Sequence, residues 1–403
     1  MTRFVTKAIN PLKFFISDSR SIGVLLLLCT AFSLCMSNTS GGGWYRTMWS
    51  ADMHSILNLP HSPLKWINDF LMAIFFLFAG MEIKRELISG ELSSFKRAIL
   101  PFGAALGGMV VPGLIFMFVN IGTAFTHGWG IPTATDIAFS LGIASLFGKR
   151  VPTGLKIFLM ALAIIDDLGA IIVIALFYGG KVQGMFFVAA IILYGLLWLC
   201  NYVKLKPGII QLLVSLLLWY AILNSGIEAS ITGVLVAFAM PVNSLPKLEK
   251  IIHGGVNFFI LPLFALANTA ILIPGDVSVS LNNTIALGVI AGLVIGKPVG
   301  IFLFSRVLVG LGIAKLPSRT HWKQFLGMGT LAGIGFTMSI FTTTLAFSGE
   351  IHRDIAKIAI LVSMLLSLMI SWIYFLIIGQ TATRQSIIRS SQEEEVDAEI
   401  ALG

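Results

Sequence analysis

The sequence predicts an all-α polytopic membrane protein with twelve transmembrane helices. Three observations carry this. Of 403 residues, 57% are hydrophobic and only 11% charged, with a mean hydropathy of +0.92, where soluble domains carry about 25% charged residues. Apolar runs recur along the whole chain, each close to the ~20 residues that cross a bilayer as an α-helix. None has the alternating pattern of about 10 residues that marks a membrane β-strand.

Taken in order, the runs place spans near 21–37, 64–83, 98–120, 131–148, 155–178, 184–202, 208–224, 227–241, 255–273, 283–307, 325–347 and 354–379. The first follows a basic lead-in, and no small-residue cleavage site comes after it. It reads as a retained span, not a removed signal peptide. Cys29, Cys35 and Cys200 have no metal-ligand spacing, and the first two read as small buried hydrophobes. Lys and Arg then test the count. With twelve spans, alternate loops and the termini on one side hold 21 basic residues. The other side holds 5: Arg46, Lys65, Lys181, Arg353 and Lys357. This bias puts both termini in the cytoplasm, and one span more or fewer would scramble it. The net charge of +8 is scattered through short loops, so it does not form a nucleic-acid face. The expected partner is the lipid bilayer. A single transmembrane domain is expected over 1–379, followed by a disordered cytoplasmic tail over 380–403 with the acidic run QEEEVDAEI.

Polar residues inside the spans point to function. Asp166 and Asp167 are the tenth and eleventh residues of the 22-residue run Ile157–Tyr178. A helix of that length is ~33 Å long, so the pair falls near the bilayer midplane. Each acid there costs roughly 2.5–3.5 kcal/mol on insertion scales. A buried ion pair could be merely structural, but adjacent residues point about 100° apart, so one partner cannot serve both. Lys297, in LVIGKPVGIF, is the only basic residue deep in a span and the natural counter-charge for one of them. Two spans look poorly made for lipid: WGIPTATDIAFSLG, with Asp136, and FLGMGTLAGIGFTMSIFTTT. Their Gly, Pro, Thr and Ser content predicts helices interrupted near mid-membrane. They are the fourth and eleventh spans, the middles of the triplets 3–5 (about 98–178) and 10–12 (about 283–379). An offset of seven spans inverts one triplet relative to the other. Inverted repeats with broken helices at matching places mark the binding sites of secondary transporters.

ATDIAFSLG, FLMALAIIDDLGAII, IGKPVGI, GIGFTMSIF and MEIKREL resemble the NhaA-type Na+/H+ antiporters over about residues 64–380; that family is itself a standing example of inverted-repeat transporters. The resemblance implies that Asp166 and Asp167 are the cation and proton site. Asp167 would be the more direct Na+ ligand, with Asp166 paired to Lys297. It implies that Asp136 and Lys297 offset the partial charges of the interrupted helix ends, with Thr135 beside the crossing. The family's pH-response region maps to Glu82, Arg85, Glu86, Glu249, Lys250 and His253. The transported ions would be Na+ or Li+ and H+, with no cofactor. A homodimer in a bacterial inner membrane is implied. Two departures stand out. Glu228 lies in NSGIEASITG, where many relatives carry a histidine. The first outer loop, SGGGWYRTMWSADMHS, lacks the strand pattern through which family dimers pair.

Three other function classes fit the sequence less well. An intramembrane aspartyl protease needs its acids on two adjacent spans, one in a GxGD motif, and no GxGD occurs. A Na+-coupled symporter would need a cavity sized for an organic solute. A channel would pass ions far faster than a carrier.

Overall fold

The computed structural model describes residues 19–53, 58–203, 208–317 and 320–402, with side chains from 21 to 377 except at 149. It is helical throughout, with no strand among the described residues. The principal helices are α1 (Ser19–Ser37), α2 (Pro63–Ser89), α3 (Phe95–Val119), α4 (Ile137–Leu146), α5 (Thr153–Phe177), α6 (Gly184–Tyr202) and α7 (Ile209–Ser225). They continue with α8 (Thr232–Ala239), α9 (Val242–Asn268), α10 (Thr284–Gly310), α11 (Trp322–Ala332), α12 (Phe336–Ala346) and α13 (Glu350–Leu402). Seven of these are long and apolar enough to cross a membrane, and eight if the bent pair α11–α12 is one span.

Boundaries differ from the sequence reading where polar residues continue a helix. α2 runs on to Ser89, past the expected span end at 83, so the whole of MEIKREL is helical, as the i, i+4 spacing of Glu82 and Glu86 at the end of the second span implies. α9 begins at Val242, because the amphipathic stretch LPKLEKIIHGG is helical too. In the first outer loop, Gly43–Ser50 forms a two-turn helix. The Tyr45 hydroxyl in it reaches Ser33 and the Leu266 carbonyl. Cys29 is half-buried and Cys35 exposed, against the expectation that both are buried; only Cys200 is. α13 continues to Leu402, and no Pro or Gly occurs between Gln380 and Leu402 to stop it. The expected tail is thus helical along its backbone here, and its side chains lie outside the described residues.

One large core joins helices from both halves of the chain, with Phe76, Phe116, Phe139, Phe264, Phe336 and Phe341 fully buried. α3 and α10 pack closely against each other. Their backbones come close at Gly107 and Gly300, where a Cβ on either would strike the other's carbonyl oxygen. Only glycine permits that backbone separation. By contrast, α6 and α7 leave Met185, Ile192, Ile209 and Leu212 exposed. An apolar outer face is what a bilayer requires, since lipid tails solvate it as well as a core would.

Candidate functional site

Two stretches that are not α-helical meet beside α5. A 3₁₀ segment, Thr126–Thr133, leads through extended residues into α4. α11 stops at Ala332, and α12 restarts at Phe336 with a 47° bend. The breaks touch: the Asp136 N–H donates to the Ile334 carbonyl at 2.7 Å. Glycine and proline explain why both chains stop here. Pro132 lacks a donor, and GIG at 333–335 has little helix propensity.

Each broken end leaves orphan polar groups that lipid cannot satisfy. Side chains from the crossing satisfy them. The Asp136 carboxylate accepts from Phe139 N at 3.2 Å, capping α4. Its other oxygen accepts from Thr337 N at 3.1 Å and from the Thr337 hydroxyl at 2.6 Å, capping α12. A negative charge thus sits at two positive helix starts. The carbonyl ends are met by donors. Lys297 Nζ donates to Thr133 O at 2.6 Å, and Ser140 Oγ donates to Leu331 O at 2.8 Å.

Asp166 and Asp167 reach this crossing from the middle of α5, and both are buried. Lys297 Nζ lies 3.0 Å from Asp166 Oδ2, and neither side chain is exposed. The Thr135 hydroxyl lies 2.6 Å from that same oxygen and 2.9 Å from Ala332 O. Its single hydrogen serves one acceptor at a time, so Asp166 and the end of α11 compete for it. A π-turn, Ala291–Gly296, comes directly before Lys297; such turns recur where a helix must present a functional group. Asp166 Oδ1 and Asp167 Oδ1 have no hydrogen-bond partner among the described residues. Unpaired carboxylate oxygens this deep are costly, and an arriving cation or proton would relieve the cost.

Asp167 lines a cavity of about 190 Å³ together with Glu82, Thr135, Asp136, His253, Asn257 and Thr337. The cavity extends from the crossing to the ends of α2 and α9. Near those ends Arg85 Nη1 meets Glu249 Oε2 at 2.5 Å and Arg85 Nη2 meets Glu86 Oε1 at 3.5 Å. The His253 ring packs on Phe78, with centroids 5.8 Å apart. Glu82, Arg85, Glu86, Glu249 and His253 are therefore neighbours. Lys250 is exposed and makes none of these contacts. Three participants were not singled out from the sequence. Thr337 and Ser140 were lost among many hydroxyls, and Asn257 sits in a second π-turn, Val256–Ile260, that leaves no sequence signal.

Residues 13–375 match the profile of a family described as Na+/H+ antiporter 1. The chain belongs to the Na+/H+ antiporter 1 family. Among similar proteins, one from Flavobacterium psychrophilum named Na(+)/H(+) antiporter NhaA is 46% identical over 362 residues, 88% of this chain and 93% of the relative. One of the same name from Dechloromonas aromatica is 45% identical over 368 residues, covering 89% and 93%. A third, from Citrobacter koseri, is 43% identical over 377 residues, covering 90% and 97%. This is a family of transporters, and the chain is a multi-pass membrane protein of bacterial type. Within the family match lie the central crossing, the acid pair of α5 and Lys297 of α10.

Proposed function

We propose that this chain is an electrogenic antiporter that expels Na+ or Li+ from bacterial cells in exchange for protons. Asp166 and Asp167 bind either the cation or protons. The single observation that carries this reading is the Asp166–Lys297 pair at 3.0 Å beside a second buried acid, each acid keeping one oxygen without a hydrogen-bond partner among the described residues.

Na+ is a hard ion and takes oxygen ligands, which Asp167, Asp166 and the Thr135 hydroxyl supply. Carboxylates accept Na+ or protons, and both occupants cancel a charge that the low-dielectric interior penalises. The empty, doubly ionised site is too costly to switch between access states, whereas a loaded site crosses. When Asp166 turns to a cation or takes a proton, Lys297 keeps the Thr133 carbonyl as its remaining partner. Two protons entering per Na+ leaving moves one net charge inward, and the membrane potential adds about 2.3 kcal/mol per 100 mV. Asp136, Thr135 and Lys297 hold the crossing together through these changes. Glu82, Arg85, Glu86, Glu249, Lys250 and His253 set the pH response.

The proposal includes twelve spans with cytoplasmic termini, inverted repeats at spans 3–5 and 10–12, and interruptions in spans 4 and 11. The seven long helices, the bent pair, the shorter apolar helices α1, α7 and α8, and the segment from Thr126 through α4 support that count. Rocking of one helix group against the other would switch access. A homodimer is proposed from the family resemblance. A symporter reading is disfavoured by the size of the cavity on Asp167, about 190 Å³, where organic ligands occupy about 300–1,000 Å³.

The test is dye-monitored antiport in everted vesicles with Na+, Li+ and K+, with no organic solute present. The expected result is collapse of the pH gradient by Na+ and Li+, and its loss in Asp167→Asn. Undiminished exchange by Asp167→Asn would overturn the reading.

A further inference from the structure

A second cavity, of about 350 Å³, lies apart from Asp167. It opens between the starts of α3 and α5 and the segment that follows α10, and Lys96, Arg97 and Lys315 line it. Glu91 is the only acid lining it among the described residues, and that carboxylate faces Arg97 at 3.4 Å. Leu100, Ile157 and Phe158 give it an apolar floor. Three cations against one acid leave the cavity positive.

The local sequence keeps it so against helix electrostatics. The first turn of α3 holds Lys96 and Arg97 and no acidic residue, at the helix end where cations are disfavoured. Ser94, before it, makes no side-chain capping bond. α5 likewise starts without an acid or a side-chain cap. Gly154 in its first turn lines the cavity and has no side chain to cover the turn's N–H groups. By the alternation of basic loops, all three segments face the cytoplasm. There the leaflet is anionic, and basic pockets between helices take lipid head groups.

We propose that this cavity is a phosphate-binding site on the inner face, outside the ion-exchange machinery. Lys96, Arg97 and Lys315 hold the phosphate oxygens, and the apolar floor receives the carbon skeleton attached to them. A phosphate group could arrive on an anionic phospholipid or free from the cytosol, and the experiment separates these sources.

Wild type, Lys96→Gln/Lys315→Gln and the surface control Lys247→Gln/Lys323→Gln are purified as full chains and checked by size exclusion. Where the first double variant elutes as aggregate, Lys315→Gln alone takes its place. Phosphatidylglycerol is titrated against phosphatidylcholine, and bound lipid is counted by native mass spectrometry. In parallel, inorganic phosphate is titrated against thermal stability. At least fivefold weaker phosphatidylglycerol retention in the cavity variant, with the control unchanged, is the expected result and assigns a lipid source. Equal lipid retention, together with stabilisation by inorganic phosphate that only the cavity variant loses, supports the site with a soluble source. No difference in either arm overturns the proposal. Equal loss in the control also overturns it, because the effect would then be general surface charge.

Discussion

Thr337 gives Asp136 two hydrogen bonds at one oxygen, from its N–H at 3.1 Å and its hydroxyl at 2.6 Å. The second carboxylate oxygen takes the Phe139 N–H at 3.2 Å. One side chain thereby ends two helices whose positive starts converge on it. Asp136→Asn keeps the shape and loses the charge both starts require. It is expected to lower Tm by several degrees. Thr337→Val removes a single hydroxyl and costs roughly 1 kcal/mol, so it should cost less. Heating detergent-solubilised variants and measuring the surviving monomer by size exclusion compares the two. Equal losses would show that the charge on Asp136 does not matter.

Asp166 and Lys297 should behave as a coupled pair. Removing one partner of a buried ion pair strands the other charge, typically at a cost of 3–5 kcal/mol, roughly. Asp166→Asn and Lys297→Met are each expected to destabilise strongly. The double variant should recover a large part of the loss, because no charge is left unpaired. Thermal unfolding of all four proteins closes the cycle. Simple additivity would mean that the two groups do not sense each other.

The α3–α10 contact gives a steric prediction. A methyl on Gly300 would meet the Gly107 carbonyl, and backbone cannot step aside as a flexible side chain can. Gly300→Ala is expected to cost about 1–3 kcal/mol and to lower transport with it. Gly310→Ala, at the end of the same helix with nothing within 4 Å of a Cβ, should be neutral. Matching Tm values for the two variants would contradict the close approach.

Much of this was legible in the sequence, for physical reasons. Hydropathy fixes helical class, because a lipid-exposed chain must satisfy its own backbone. Asp166, Asp167 and Lys297 stand out, because a charge in oil needs a purpose. What the residues cannot show is which hydroxyl meets which helix end. Thr135, Thr337 and Ser140 look alike on paper, yet they serve Asp166, Asp136 and the Leu331 carbonyl respectively. The π-turns at Val256–Ile260 and Ala291–Gly296 are equally silent, since one extra residue shifts the phase of an apolar stripe and these stretches are apolar on nearly every face. The i, i+4 spacing of Glu82 and Glu86 marks the end of α2 as helical, but its stop at Ser89 lies past the apolar run, because hydropathy stops at the first charges whereas hydrogen bonding does not. The acid cluster around Arg85 then comes from two helix ends, α2 and α9, that lie far apart in sequence.

The pH dependence follows from competition at the same oxygens. On the proposed reading a proton on Asp167 excludes Na+, which sets the sign: raising the pH frees the site and lowers the apparent KM for Na+. Below the pKa of the site the slope is about tenfold per pH unit for each competing proton, and above it the KM becomes flat. Glu249 lies outside the cavity that Asp167 lines but holds Arg85 at 2.5 Å. Glu249→Gln frees that guanidinium next to Glu86 and Glu82, and so alters the potential at the cavity's end. It is expected to move the whole KM profile along the pH axis while leaving the maximal rate intact. Na+ titrations of antiport from acid to alkaline pH, in wild type and Glu249→Gln, separate the two effects. A flat KM in wild type would refute proton competition. An unmoved profile in Glu249→Gln would remove Arg85 and Glu249 from the pH response and leave the competition at Asp167 standing.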